Sequence, residues 1–585
     1  MQKLKISVIA LLLVVSSFSF ITVAEAKEAI VNPHKVYTYK QMVKDIYALK
    51  KAYPELINVK TIGKSEYGRK IYAVSIGTGN ANLFVNGSHH AREWMTTSLN
   101  MYMLENYAAA YKKKKKINGY DTKKILNSTT IWFVPMVNPD GVTLQQSGLK
   151  AFPKNKHKSL TKMNNGSKNF NRWKANGKGV DLNRQYNAGW EAINSPKNPS
   201  YKNYKGKAPE TAAETKAILK FVDEINPEMA VSYHSTGRIL FWNYKQTGKI
   251  YKRDYKYAKQ IGKMTGYSLV FPGKNPSGGG FTDWFISAKK RPGFTPEISR
   301  AYYETSPPLS EFPGAWRENQ AVGLYTAQES SKLYLARMNA ETAKLEKKLI
   351  NLYSKSKKLN TYYYANIKTQ SNLKIDKNLP SLYNSVTKEA KTLRKQIAVL
   401  PAKNQKKLSG YFDKVNYYTK NSKLFMDGIQ SGENLLAANK QLDYALTIGK
   451  IDSSLINKHK SLANSKSKTE KVIKNMNRQR VRSLATSKYI LPVRYSLENT
   501  QLDIDRYTLS LSIEELIQNG NIDEAATSLK QLEEMELKSL ILKEKDPNKF
   551  KMYPKVEEQL QQMKQSILEK LNNAQETEVE NIQEE

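Results

Sequence analysis

The chain has 585 residues and no cysteine. That excludes a disulfide framework, a thiolate metal site and a cysteine nucleophile, and it restricts any metal to His, Asp or Glu ligands. The formal charge of +41 divides as +29 over residues 1–340, +21 over 341–490 and −9 over 491–585. Such a field draws polyanions, and with no nucleic-acid motif in the chain the expected partner is an anionic wall polymer or membrane surface.

Residues 1–26 read as a secretory signal: Lys3 and Lys5, then the apolar run ISVIALLLVV, then AEA at 24–26. No later segment approaches the ~20 apolar residues of a membrane-spanning helix. The expectation is an exported protein, extracellular or associated with the cell wall.

From residue 35 to 335 helical and strand patterns alternate. YKQMVKDIYALKKAYPELI (39–57) has helical apolar spacing. Strand-like runs follow at 70–77 (KIYAVSIG), 82–88 (NLFVNGS), 130–137 (TIWFVPMV), 229–235 (MAVSYHS) and 293–299 (GFTPEIS), with helix-like stretches at 96–112 and 210–225. Continuous apolar strands separated by helices predict an α/β domain with a mixed, mostly parallel sheet flanked by helices. The lysine run at 112–116 reads as a solvated helix end.

Beyond residue 336 the strands vanish. Leu345, Leu349 and Leu352 repeat at helical spacing, and 512–540 reads as a helix, an Asn-Gly-Asn turn, an Asp N-cap and a second helix. An all-α C-terminal region is expected, basic over 341–490 and acidic over 491–585. His459 reads as a surface histidine.

Only six histidines are present, and two are adjacent in GSHHAREW (87–94). This octapeptide falls where a strand ends and a helix begins, the edge at which open α/β sheets bind ligands. His90 and Glu93 are three apart and can face one point, while His89 points elsewhere and packs. SYHS puts His234 at another strand end, completing a His₂Glu set with one open position, which is what catalytic zinc requires. GFTPEIS puts Glu297 at a further strand end, as a general base or a salt-bridged carboxylate. GVDLNRQY offers Asn183 and Arg184, and a guanidinium grips a carboxylate through two parallel hydrogen bonds. NPDG (138–141) reads as a turn capped by Asp140.

Together HAREW, NPDG, GVDLNR, ETKAI (214–218), SYHS, DWF (283–285) and TPE (295–297) resemble the zinc carboxypeptidase family, that of pancreatic carboxypeptidase A and its bacterial relatives, over residues 38–335. The resemblance implies one Zn²⁺ per chain held by His90, Glu93 and His234, and Glu297 as the base that moves a proton from water to the leaving amine. It implies Asn183 and Arg184 as the anchor of a substrate carboxylate, Arg92 as lining the neighbouring subsite, and Asp181 as the carboxylate that orients a zinc histidine. The cation for the oxyanion falls in NRWKAN (171–176): alignment on Trp173 chooses Lys174, and alignment on charge type chooses Arg172. One departure stands out, because FPGKNPSGGGFTDW (271–284) has Lys and Asn where the family carries a mobile tyrosine. That places ordinary C-terminal trimming in doubt, though not hydrolysis.

YHSTGRILFW (233–242) and the GGGF loop resemble the bacterial subgroup that cleaves the γ-D-glutamyl bond before a diamino acid in peptidoglycan stem peptides. Thr282, neither acidic nor strongly apolar, argues against a simple preference for Lys/Arg or for large aromatic ends. The expected function is a secreted zinc metallopeptidase acting on such wall peptides. The alternatives are a broad-specificity secreted metallocarboxypeptidase and a wall-bound helical scaffold with a vestigial peptidase domain.

Overall fold

A computed structural model describes residues 29–584 apart from 274, 275 and 277, with side chains to residue 576. The signal-like segment and the Lys274–Asn275 position of the missing tyrosine lie outside the described residues. The chain divides into two compact units between Arg337 and Met338.

The first unit is built on eight strands: β1 Ile57–Lys64, β2 Lys70–Ile76, β3 Ala81–Gly87, β4 Thr129–Val134, β5 Met229–Ser235, β6 Ile239–Phe241, β7 Ser268–Leu269 and β8 Gly293–Ile298. They order as β1-β2-β4-β3-β5-β8-β6-β7. The centre is parallel, β4-β3-β5-β8, and the antiparallel pairs are β1-β2, β2-β4 and β8-β6. All seven residues of β5 are buried, as a strand with parallel neighbours on both sides and helices over both faces demands. One apolar core carries Leu83, Val85, Leu99, Leu104 and Val231, and the other carries Phe84, Ile218, Phe221 and Phe285. Alternate residues of β3, Leu83 and Phe84, thus enter opposite layers.

Local chemistry sets the boundaries. The helix Tyr39–Ala52 starts where the Thr38 hydroxyl accepts the Gln41 N–H, and it ends five residues before the 39–57 pattern does. The rest of that pattern turns into β1, a strand whose exposed outward residues gave no apolar run. Asn138, rather than Asp140, caps the helix Pro139–Ser147 by accepting from Gly141 N. Asp140 is buried and instead accepts from Arg69 Nη1 at 2.6 Å and Tyr67 N at 2.7 Å.

The second unit is helical throughout its described residues, with helices Asn378–Ala398, Ala402–Ile448, Ser453–Lys474, Leu491–Gln518, Ile522–Lys545 and Pro554–Glu584. Leu345, Leu349 and Leu352 are fully buried on the helix Val322–Lys357. The cap before Ile522 is Asn521, and Asp523 lies inside the first turn, where its charge still favours the helix N-terminus. His459 is buried rather than on the surface, its Nε2 at 3.1 Å from Leu497 O. That carbonyl gives the buried ring a polar partner on a neighbouring helix. Asp503 and Lys543 form a buried ion pair at 2.6 Å, beside Arg506 paired to Glu557 through two 2.8 Å bonds. Among the described residues no helix is long and apolar enough to cross a membrane.

Candidate metal centre and substrate cavity

β3 ends at Gly87, and the chain turns through His89 and His90 into a short 3₁₀ turn, Ala91–Glu93, before the helix Met95–Lys112. Gly87 admits no side chain: a Cβ there would sit 2.8 Å from the Asn100 amide and 2.9 Å from the Thr96 hydroxyl. The turn aims His90 and Glu93 at the end of β5, where His234 lies. His90 Nδ1 is 2.6 Å from Glu93 Oε1, His234 Nδ1 is 2.9 Å from Glu93 Oε2, and the two Nδ1 atoms are 3.1 Å apart. Ligand atoms of all three residues fall within 4.8 Å of one another, and all three side chains are buried.

The donor set fits a divalent cation. Asp181 Oδ1 lies 3.1 Å from His90 Nε2. A carboxylate only accepts, so the His90 proton sits on Nε2 and the Nδ1 lone pair faces the cluster. Burial lowers the His234 pKa, which keeps that imidazole neutral and able to ligate. Burial alone would raise the Glu93 pKa, but the flanking His90 and His234 outweigh it and hold the carboxyl well below its usual range. Two facing lone pairs and one carboxylate make a three-ligand site of the catalytic zinc type.

Around it runs a cavity of about 350 Å³. Its wall includes His90, Lys174, Asp181, Asn183, Arg184 and Glu297. Glu297 stands opposite His234 across the β5–β8 ladder. Burial and the neighbouring Glu93 charge raise its pKa well above the carboxylate range, with Lys174 opposing. Lys174 Nζ is 3.0 Å from Asp181 Oδ2. Burial raises the Asp181 pKa, and Lys174, His90 and Arg184 overcome it, so that carboxyl ends well below its ordinary value. Asn183 Oδ1 accepts from Phe281 N at 3.0 Å, while the buried Arg184 Nε lies 3.7 Å from Asp181 Oδ2, beyond hydrogen-bond reach.

Arg172 and Arg92 are placed differently. The Arg172 guanidinium lies over the Tyr201 ring, 4.0 Å from its centroid, and Arg92 Nη1 donates to Arg172 O. Neither is among the cavity-wall residues. Three further contacts complete the surroundings of the site. His89 is stacked on His234 at 5.5 Å and hydrogen-bonded to the Tyr186 hydroxyl at 2.9 Å. Asp283 lines the cavity, its Oδ2 accepting from Gly280 N, and burial pushes its pKa up to about 6. The Thr282 and Thr295 hydroxyls, 2.6 Å apart, share the same wall. His89 thus packs, as its reading in the sequence has it, and Thr282 was already singled out there, whereas nothing local announced Thr295 or the burial of Asp283.

The glycines at 278–280 are more than a flexible joint. Gly279 has φ +76°, its N–H donates to Ala188 O, its carbonyl accepts from Tyr186 N, and a Cβ would lie 2.3 Å from Ile193. A left-handed backbone pinched this closely requires glycine.

A profile described as zinc carboxypeptidase matches residues 42–322. Gamma-D-glutamyl-L-diamino acid endopeptidase 1 of Lysinibacillus sphaericus is 35% identical over 301 residues, covering 51% of this chain and 73% of that protein. The chain belongs to the zinc carboxypeptidase family. An uncharacterized protein, YqgT, of Bacillus subtilis (strain 168) is 31% identical over 46% of this chain and 72% of its own. Human mast cell carboxypeptidase A is 28% identical over 39% and 52%. Outside the zinc carboxypeptidase region, a profile described as the SbsC C-terminal domain matches residues 364–494. As a member of the family the protein is a zinc-dependent metallopeptidase, and the His90–Glu93–His234 cluster is where a metal could bind.

Proposed function

We propose that this zinc carboxypeptidase is exported and hydrolyses peptidoglycan stem peptides at the bond preceding a diamino acid. The relative named for gamma-D-glutamyl-L-diamino acid endopeptidase activity, 35% identical over 301 residues, carries this reading. His90, Glu93 and His234 would hold the zinc, which supplies Lewis acidity to polarise the scissile carbonyl and acidify a water. Glu297 takes the proton from the attacking water and delivers it to the leaving amine. Lys174 sets a positive charge beside the developing oxyanion, a type of contact worth roughly 3–4 kcal/mol. Its place in the cavity favours it over Arg172. Asn183 and Arg184, both on the cavity wall, fix a carboxylate of the leaving residue. Arg92 acts by bracing the Arg172–Lys174 segment through its bond to Arg172 O.

The basic surface would hold the enzyme near anionic wall polymer. A second reading, trimming of ordinary peptides, draws on the likeness to mast cell carboxypeptidase A. Incubation with defined muropeptides and with benzoyl dipeptides separates the two. Release of the diamino acid portion from muropeptides is expected, and turnover of the dipeptides alone would reject the wall-peptide assignment.

A further inference from the structure

In the helical unit, four cations lie against tyrosine rings in one continuous array. Tyr353 and Lys357 share one face of the helix Val322–Lys357, with Lys357 Nζ 4.7 Å from the Tyr353 centroid. Tyr411, Lys414 and Tyr418 share a face of Ala402–Ile448, and Lys414 Nζ sits 5.6 Å from both the Tyr353 and the Tyr411 rings. Tyr418 touches Tyr353 and Tyr417 at 6.2 and 5.2 Å. The Tyr417 hydroxyl accepts from Asn477 Nδ2 at 3.2 Å and Arg478 Nη2 at 3.3 Å. Arg478 and Arg480 close the array over Tyr364, at 4.9 and 4.6 Å. Arg478 holds a φ of 75°, unfavourable for arginine.

None of the four cations has a carboxylate partner among the described residues, although neighbouring lysines such as Lys355, Lys407 and Lys423 do. Lys357, Lys414, Arg478 and Arg480 are all exposed. Side chains fixed against rings lose less rotamer freedom when they meet an anion than free ones would. We propose that this surface binds an extended phosphate-bearing polyol or glycan polymer. The cations pair with successive phosphates, and tyrosine hydroxyls meet the hydroxyls between them. Nucleic acid fits less well, because base stacking needs open ring faces and these faces already carry ammonium or guanidinium groups. The inference rests on the reading that the protein works outside the cell. It also assigns to one surface what the +21 charge of residues 341–490 leaves diffuse.

The test uses the full chain and fluorescently labelled poly(glycerol phosphate), with binding followed by anisotropy at low and moderate salt. The variant Lys357→Gln/Lys414→Gln/Arg478→Gln/Arg480→Gln should bind about thirtyfold more weakly, from four surface charge contacts each worth about two- to threefold. An equal-charge control, Lys458→Gln/Lys460→Gln/Lys530→Gln/Lys538→Gln, should lose about threefold or less by long-range screening alone. Arg478→Lys/Arg480→Lys should retain most of the binding, which guards against a loss caused by unfolding. Equal losses in the variant and its control, or no loss in either, would overturn the proposal. So would a thymidine oligonucleotide that binds as tightly as the polymer and is lost in the same variant. Muropeptide hydrolysis by the first variant should be unchanged, so failure of this surface and failure of the wall-peptide assignment give separate readouts.

Discussion

Glu297 is the direct ladder partner of His234: the two Cα positions pair across parallel strands β8 and β5. The pairing skips Thr295 and Pro296, the second of which has no N–H to give, and resumes at Glu297. A carboxylate and an imidazole are thus delivered to one rim of the cavity by backbone register rather than by loop conformation.

The variant Glu297→Gln keeps that register and the side-chain volume but removes the proton acceptor. Its kcat should fall by about 10³-fold or more, while zinc content by metal analysis stays at the wild-type level. Parallel loss of zinc would mean that the residue works as a ligand.

Asp181 pins the His90 tautomer through Nε2 and neutralises Lys174. Asp181→Asn removes the charge from both contacts and permits the wrong imidazole orientation. Zinc affinity, read by competition with a chromogenic chelator, should weaken about 10–100-fold. An unchanged affinity would show that the two flanking loops orient His90 unaided.

Glu214 is fully buried, with its carboxylate accepting from Asn176 Nδ2 at 3.1 Å and Glu66 N at 3.3 Å. Burial, reinforced by the Asp140 charge, raises its pKa to about 8 from 4.5. The folded protein therefore keeps a proton that the unfolded chain releases. The stabilisation is complete below pH 4.5 and is lost as pH climbs through about 8. Glu214→Gln cannot titrate, so its denaturation free energy should decline less over that interval, the difference reaching about 4–5 kcal/mol. Superimposable pH profiles for the two proteins would refute the assignment.

The Asp503–Lys543 pair lies wholly inside the helical unit. Lys543→Met leaves a buried carboxylate with only Arg506 nearby, at 3.7 Å, and should cost about 3 kcal/mol in urea denaturation. Asp503→Leu/Lys543→Met should recover most of that loss. If the double variant is as unstable as the single one, the pair is contributing attraction beyond its own desolvation.

The convergence of the candidate site residues was readable because β3, β5 and β8 are apolar runs that stop near a polar residue. His90, His234 and Glu297 announce themselves as chemistry at strand ends. β1 escaped notice because it is an edge strand: among INVKTIGK only Ile57 is buried, and an alternating exposed surface mimics a loop. That Lys174 lines the cavity while Arg172 does not was beyond the sequence, because it turns on Tyr201, a ring 29 positions from Arg172 that lies under its guanidinium. His459 misled for a related reason. Its acceptor, Leu497 O, belongs to another helix, and no local pattern marks a carbonyl 38 residues away.

The Lys174 loop is tied to the GSHHAREW turn by one main-chain bond and one side-chain amide. Ala91 N donates to Lys174 O at 3.0 Å, and the Asn138 amide bridges His89 O and Ala175 O. The spacing between cation and ligand loop is therefore set by backbone carbonyls, one peptide N–H and the Asn138 amide, and not by the side chain at position 174. Residue identity at position 174 can drift, lysine to arginine or the reverse, while the scaffold around the reacting carbonyl stays put. A fold wired in this manner can exchange one cation for another without disturbing the turn that carries His90 and Glu93.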